Sequence, residues 1–479
     1  MSLPAIYRFR SAEALLDRFH ELENQEIYFA SPPELNDPLE GFKDLFWKGD
    51  VIVWTNLIRH YLLCLMQAIL GTLEPGPAKE PTAKPPVVTV IPEDLQPEAR
   101  KVFDALCTKF FEDAELRELP DLLAARSSPI RRNEFLSLLW PLHFRVLMLV
   151  CTTISPEQPL HQIDAQLRSR PQRPLRFKES FAALDELEAK HADSADIVEA
   201  MTATVVSGIA QGIFIQQYNL ANQPAPPAWN VIASTFPEVY INALESLLYY
   251  DWYTACFVAD PTQADMWGYY GDSYRGACLR FRTSSLSDGK VGLNLRRIAG
   301  IRGDAKGTAL VHEFQPLELH PMDYQDRYPE VDFFRSLGTL KPRQLAFWFG
   351  GADARPSPVG DGLLHGSDEW RQEYWEKFHR LLTTKLEGWR HEREYRITAH
   401  SMIADLSDRA SRKLQYQFDD LEAIVFGIKT STEDKRAIVH LIQEKCKQAG
   451  RKEFEFRQTY YSRRTGTLAT APWDLIRFS

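Results

Sequence analysis

The feature that most constrains this chain is a change of hydrophobic period near residue 44 and its reversal near residue 250. Before the change, "AIYRFRSAEALLDRFHELENQEIYFASPPELNDPLEGF" reads as strand, helix, strand and turn. Residues 6–9 are β-prone, Ser11 is placed to cap a helix whose Leu15, Leu16, Phe19 and Leu22 keep helical spacing, and "EIYFASPP" is a strand stopped by proline. From 44 to 250 the apolar residues recur at helical intervals, with helices expected over 51–70, 97–125, 132–153, 183–217 and 228–250. The segments between them are proline-rich, as in "EPGPAKEPTAKPP", "RSRPQRP" and "ANQPAPP". After 250 strand signals return and end in a strand, helix, strand unit built from "LEAIVFGI", 432–449 and "EFEFRQTYY". The expected fold is therefore an α+β body in two pieces, 1–43 and 251–479, split by an all-helical insertion at 44–250.

Composition narrows the function classes. A length of 479 residues is roughly three usual domains. A formal net charge of −9 disfavours a nucleic-acid-coating protein, which needs a surplus of Lys and Arg. The segment read as most apolar, "VIVWTNLIRHYLLCLMQAIL", carries Arg59 and His60, so no membrane span is expected. "MSLPAIYRFR" lacks a signal peptide's apolar core, which suggests a cytoplasmic protein, and the six scattered cysteines read as buried thiols.

Two motifs carry chemistry. In "EGWRHEREYRITAH", strand alternation would place Glu392 and Glu394 on one face and Arg393 on the other; the competing reading is a solvated ladder with Arg390, Arg393 and Arg396. In "WGYYGDSYRG", bends at Gly271 and Gly276 suggest an aromatic hairpin whose Trp267, Tyr270 or Arg275 either packs in the core or lines a pocket. "LNDP" is first a turn, with Asn36, Asp37 and Glu40 as secondary ligand candidates. His391 has no partner at metal-ligand spacing, so no metal is expected, and nucleophile-elbow, Walker and Gly-x-Gly-x-x-Gly patterns are absent from the sequence.

Together "IYRFRS", "IYFASPPELNDPLE", "MWGYYGDSYRGACLRF" and "WRHEREYRI" resemble the bacterial family known as domain of unknown function 2971, across both ends and the centre of the chain. Three shorter features are similar to mono-ADP-ribosyltransferases of the Arg-Ser-Glu type: Tyr7-Arg8, Phe29-Ala30-Ser31 and Glu392-Arg393-Glu394, in that order. Pro32 and Pro33 stand where that pattern continues its strand.

The second resemblance implies a split mixed β-sheet domain that takes NAD as substrate. Glu394 would stabilise the oxocarbenium-like transition state and Glu392 would polarise an acceptor. Arg8 would grip the diphosphate, Ser31 the ribose, and Tyr28 or Phe29 the nicotinamide, with Asn36, Trp267 and Tyr270 lining the pocket. It further implies a toxin or anti-phage defence effector with a macromolecular acceptor or phage-derived activator. Separately, the helical insertion is a candidate route to homo-oligomers. The alternative is a non-catalytic module sensing a nucleotide or phage component, whose helical insertion mediates assembly.

Overall fold

The computed structural model describes residues 3–73, 86–155, 174–191, 194–220, 228–304, 307–351, 355–400 and 405–476. The fold mixes α and β elements, and the chain divides into two units. The body comprises 1–42, 250–329 and 379–479, and the second unit comprises 43–249 and 330–378. The expected second piece of the body, 251–479, is thus not continuous: 330–378 belongs with the helical unit. Its strand Glu330–Asp332 pairs in parallel with Asp44–Trp47, which also pairs with Ile130–Arg131. That three-stranded sheet corrects the expectation of an all-helical insertion. Strands of two to four residues give too short a period-two signal to stand out among long helices.

The body is built on an eight-stranded sheet. Its strands in chain order are β1 (Ala5–Arg10), β2 (Trp252–Val258), β3 (Ala277–Arg282), β4 (His320–Pro321), β5 (Glu394–His400), β6 (Leu421–Phe426), β7 (Glu455–Ser462) and β8 (Thr467–Pro472). In space the order is β4-β5-β2-β1-β3-β6-β7-β8. Every pair is antiparallel except β6 and β7, whose parallel register needs the crossover helix Thr432–Ala449. Ser431 caps that helix by accepting from the Asp434 N–H, and Gly450 ends it in the left-handed conformation.

Alternation along the strands buries both faces of this sheet. Ile6, Phe257, Leu279, Phe281 and Ile424 point to one core with Leu15, Leu22, Ile438 and Ile442, while Phe9, Val258, Cys278 and Val425 meet Met266 and Trp267 on the other. The helix expected after Ser11 is shorter than its spacing suggests. A π-turn at Ala14–Arg18 and one helical turn at Glu21–Asn24 replace it, so Leu15 and Leu22 are buried while Phe19 is exposed.

In the second unit the helices used below are α1 (Val51–Leu73), α2 (Pro97–Glu112), α3 (Arg132–Ile154), α4 (Phe177–Lys190), α5 (Ser194–Leu220), α6 (Ala228–Ser234) and α7 (Phe236–Leu244). The single expected helices 97–125, 183–217 and 228–250 are each interrupted. Pro120 and Pro237 each open a new helix after a break, as a residue without a backbone N–H favours. Among the described residues α3 and the stretch Ala195–Asn219 of α5 are long and apolar enough to cross a membrane. The sequence reading weighed α1 and did not weigh the α5 stretch, which carries two carboxylates near its start, Asp196 and Glu199. The most apolar part of α3 is about half buried, and 11% of the α5 stretch is.

Candidate functional site

The central sheet of the body forks. β1 meets β2 at one register point, Tyr7 opposite Val258. Farther along β2, Thr254 instead exchanges two backbone hydrogen bonds of 2.8 Å with Ala30. A cavity of about 570 Å³ opens in the fork, within the range of small-molecule sites. Its walls include Arg8, Tyr28, Asn36, Cys256, Tyr270 and Glu394.

One wall is a buried ionic cluster. Arg396 sends its fork to Glu40 at 2.8 and 2.5 Å and donates through Nε to Glu394 at 2.7 Å. Lys385 donates to Glu392 at 2.5 Å and to Glu394 at 3.1 Å. The Tyr270 hydroxyl donates to Glu392 at 2.8 Å, and the Glu394 N–H donates to the Tyr324 hydroxyl. All five charged side chains are at most 4% exposed. The reading of a solvated ladder is therefore wrong for Glu392, Glu394 and Arg396. It fits Arg390, which is exposed and pairs with Glu387.

The two glutamates do not lie on one strand. Glu392 ends a 3₁₀ helix, Glu387–Glu392, and Arg393 takes a left-handed conformation with φ of 47°, so β5 begins only at Glu394. The kink, not strand alternation, turns both carboxylates to Lys385. Their protonation is pushed in opposite directions. Burial would raise Glu394, but the charges of Arg396 and Lys385 hold it down at about 2, whereas burial raises Glu392 above the ordinary carboxyl value against the pull of Lys385. Glu394 is a fixed carboxylate; Glu392 is the more easily protonated member.

Arg8 stands on β1 at another wall. It is 8% exposed, its guanidinium lies over the Phe257 ring at 5.6 Å, and Nη2 donates to the Tyr28 carbonyl at 3.0 Å. Its Nε has no partner, and Glu21, the acid that acts on it, is already held by Arg10. Burial, then the neighbouring Arg10 charge, lower its pKa to about 10. Arg8 is thus a buried cation with no carboxylate of its own among the described residues. Such a group favours an anion in the cavity.

The expected site residues fall into two groups. Arg8, Tyr28, Asn36, Tyr270, Glu392 and Glu394 line the cavity; Ser31, Phe29 and Trp267 do not. Ser31 begins the 3₁₀ turn Pro32–Glu34 and donates its hydroxyl to Glu34 at 2.8 Å, because the two prolines end the strand that would have carried it inward. Phe29 is wholly buried in the sheet core, and Trp267 is buried on the other face with its indole N–H donating to the Pro261 carbonyl. The hairpin expected around Tyr270 is instead a helix, Ala264–Tyr269, followed by three left-handed residues, Asp272, Ser273 and Tyr274. Such a run is strained for residues with a Cβ. It returns the chain so closely that a Cβ on Gly276 would sit 2.1 Å from the Arg10 carbonyl.

Lys385 and Glu40 complete the cluster. Lys385 lies in the short strand Thr384–Leu386, and its only local signal is a cation seven and nine residues before two acids. Glu40 was visible as a residue of the "LNDPLE" motif but not as the partner of Arg396. Among the described residues no group of three or more His, Cys, Asp or Glu side chains is arranged to hold a metal. The six cysteines are free, four of them buried. Comparison with protein-family models, with curated proteins and with solved structures finds no match to this chain.

Proposed function

We propose that this chain is an NAD-consuming enzyme whose cavity binds the dinucleotide and whose carboxylates promote loss of nicotinamide, by ADP-ribosyl transfer or by hydrolysis. The observation that carries the reading is Arg8, a buried guanidinium without a carboxylate, in a cavity that also receives Glu394 and Glu392. In this reading Arg8 binds the diphosphate. Glu394, ionised at neutral pH, faces positive charge developing on the ribose, and Glu392 orients the acceptor. The likeness of the body to ADP-ribosyltransferases and of the motifs to domain of unknown function 2971 belongs to the same proposal, as do a defence or toxin role, a macromolecular acceptor and a phage-derived activator. The test is nicotinamide release from NAD, measured with bacterial lysate present to supply acceptor and activator. Glu394→Gln and Arg8→Met are expected to lose at least 100-fold in rate, and turnover by either at the wild-type rate sinks the proposal.

A second reading, a non-catalytic nucleotide sensor, is favoured by one feature: every carboxylate of the cluster already has a cation. Nucleotide binding that survives Glu394→Gln and fails in Arg8→Met, with no nicotinamide released, would select it.

A further inference from the structure

The helix α5 is apolar on two sides. Val198 and Thr202 are buried and Val206, Ile209 and Ile213 half-buried where the helix packs on α3 and α4. A second row, Met201, Val205, Gly208, Gly212 and Ile215, is exposed. Its intervals of four, three, four and three residues are those of a helix-pair seam. Met201 is 54%, Val205 50% and Ile215 58% exposed, and no Asp, Glu, Lys or Arg occurs between Glu199 and Glu238. Gly208 and Gly212 serve no packing purpose within the described fold. A Cβ on either would meet nothing within 4 Å, and glycine in a helix interior weakens it relative to alanine. Two glycines four residues apart on an apolar face let another helix approach backbone to backbone.

We propose that this face is the interface with a second copy of the chain, with the two α5 helices antiparallel about Ala210. The seam is self-complementary in that arrangement, as a two-fold interface requires: Val205 lies opposite Ile215, Gly208 opposite Gly212 and Met201 opposite Asn219. No like charges meet along it. With aromatic side chains contributing roughly 150–250 Å² each, the exposed parts of Met201, Val205, Ile215 and the flanking Tyr218 amount to about 450 Å² per copy. The pair then buries about 900 Å², the size of a weak, transient interface, so the dimer forms and dissociates with concentration.

Connectivity argues against a membrane span as the occupant of this face. Eight peptide steps join Leu220 to Ala228, a reach of about 29 Å at most. The following helix α6 is held in the bundle by the His143 Nε2–H, which donates to the Ile232 carbonyl at 2.7 Å. A chain that had crossed about 30 Å of hydrocarbon would have to return as extended backbone with its hydrogen bonds unmet.

Sedimentation velocity of the full chain over a concentration series tests the proposal. The expected result is a monomer–dimer equilibrium whose dissociation constant rises at least 100-fold in Val205→Glu/Ile215→Glu and at least tenfold in Gly208→Leu, with melting temperatures near wild type. Antiparallel pairing further requires that oxidising a mixture of Val205→Cys and Ile215→Cys proteins cross-links one to the other, while neither cross-links alone. A monomer at every concentration, a dimer indifferent to these substitutions, or cross-linking of Val205→Cys to itself would each overturn the proposal. So would a monomer that binds phosphatidylcholine–phosphatidylglycerol vesicles through the same residues.

Discussion

The cavity wall of the body and the aromatic core of the helical unit bury ionisable side chains in opposite ways, although the helical unit also buries a charged pair, Arg126 with Glu134. The body keeps its buried groups charged: Glu40, Lys385, Glu392, Glu394 and Arg396 satisfy one another in a network. The helical unit keeps its buried histidines neutral. His60 lies between the Tyr240 hydroxyl at 2.8 Å and the Val88 carbonyl at 2.9 Å; His143 lies between the Tyr61 hydroxyl at 2.8 Å and the Ile232 carbonyl at 2.7 Å. In each ring the nitrogen facing a carbonyl must be the donor, so the other accepts from a tyrosine and the neutral tautomer is complete. A second ring N–H would face a hydroxyl that already donates to that nitrogen. Burial accordingly lowers both histidines to about 4. The cavity wall is vulnerable to losing a charge, and the histidine core to gaining one.

The largest expected effect comes from breaking the charged network. Arg396→Met leaves Glu40 and Glu394 buried without their main cation, and removing one partner of such a group typically costs about 3–5 kcal/mol. Chemical denaturation at neutral pH should show that loss. A change below about 1 kcal/mol would mean that water or rearrangement replaces the pairing, and the contrast with the histidine core would lapse.

Acid sharpens the contrast. The histidines are depressed from 6.5 to about 4, so the unfolded chain binds more protons between those values. Their stabilisation is complete above pH 6.5 and falls as the pH drops through that window, by about 3 kcal/mol for each histidine. Glu394, depressed from 4.5 to about 2, acts in a lower window: its contribution is complete above 4.5 and lost on the way to 2. Hydrogen-exchange protection factors, corrected for the intrinsic rate at each pH, should therefore fall first in α1 and α3, between pH 6.5 and 4. Those of β5 should fall only below about 4.5. A simultaneous fall would show that protonation does not discriminate between the cavity wall and the histidine core.

The same contrast explains what the sequence reveals. Long-period features were legible: the strand at 5–10, the helices beginning at 51 and 132, and the terminal strand, helix, strand unit all announce themselves in spacing. Residues fixed by nonlocal partners were not. Nothing near Lys385 says that it will be buried between two glutamates, and Ser31 was misplaced because a tripeptide pattern outweighed the two prolines beside it. Glu392 and Glu394 were found for the wrong reason, since a left-handed Arg393 brings them together where a regular strand was expected. The exposed apolar row of α5 was present in the letters, but it became informative only once α3 and α4 were seen to occupy the other side of the helix.

The smallest effect on stability is expected at Arg8, and its sign matters more than its size. Arg396 and Arg8 are both buried arginines of the body, but Arg396 meets two carboxylates whereas Arg8 meets one carbonyl. With its pKa lowered by burial, the charged form of Arg8 is disfavoured in the fold relative to the unfolded chain. Arg8→Met removes that penalty and forfeits one hydrogen bond worth about 1 kcal/mol, so the net change should be a gain of about 1 kcal/mol or none. An anion in the cavity reverses the balance. ADP-ribose or pyrophosphate at a hundredfold excess over its dissociation constant should stabilise the wild type by about 2.7 kcal/mol and leave Arg8→Met unaffected. If Arg8→Met instead destabilises the protein as Arg396→Met does, and neither anion shifts wild-type melting, Arg8 is a structural group and the fork in the sheet is not built for an anion.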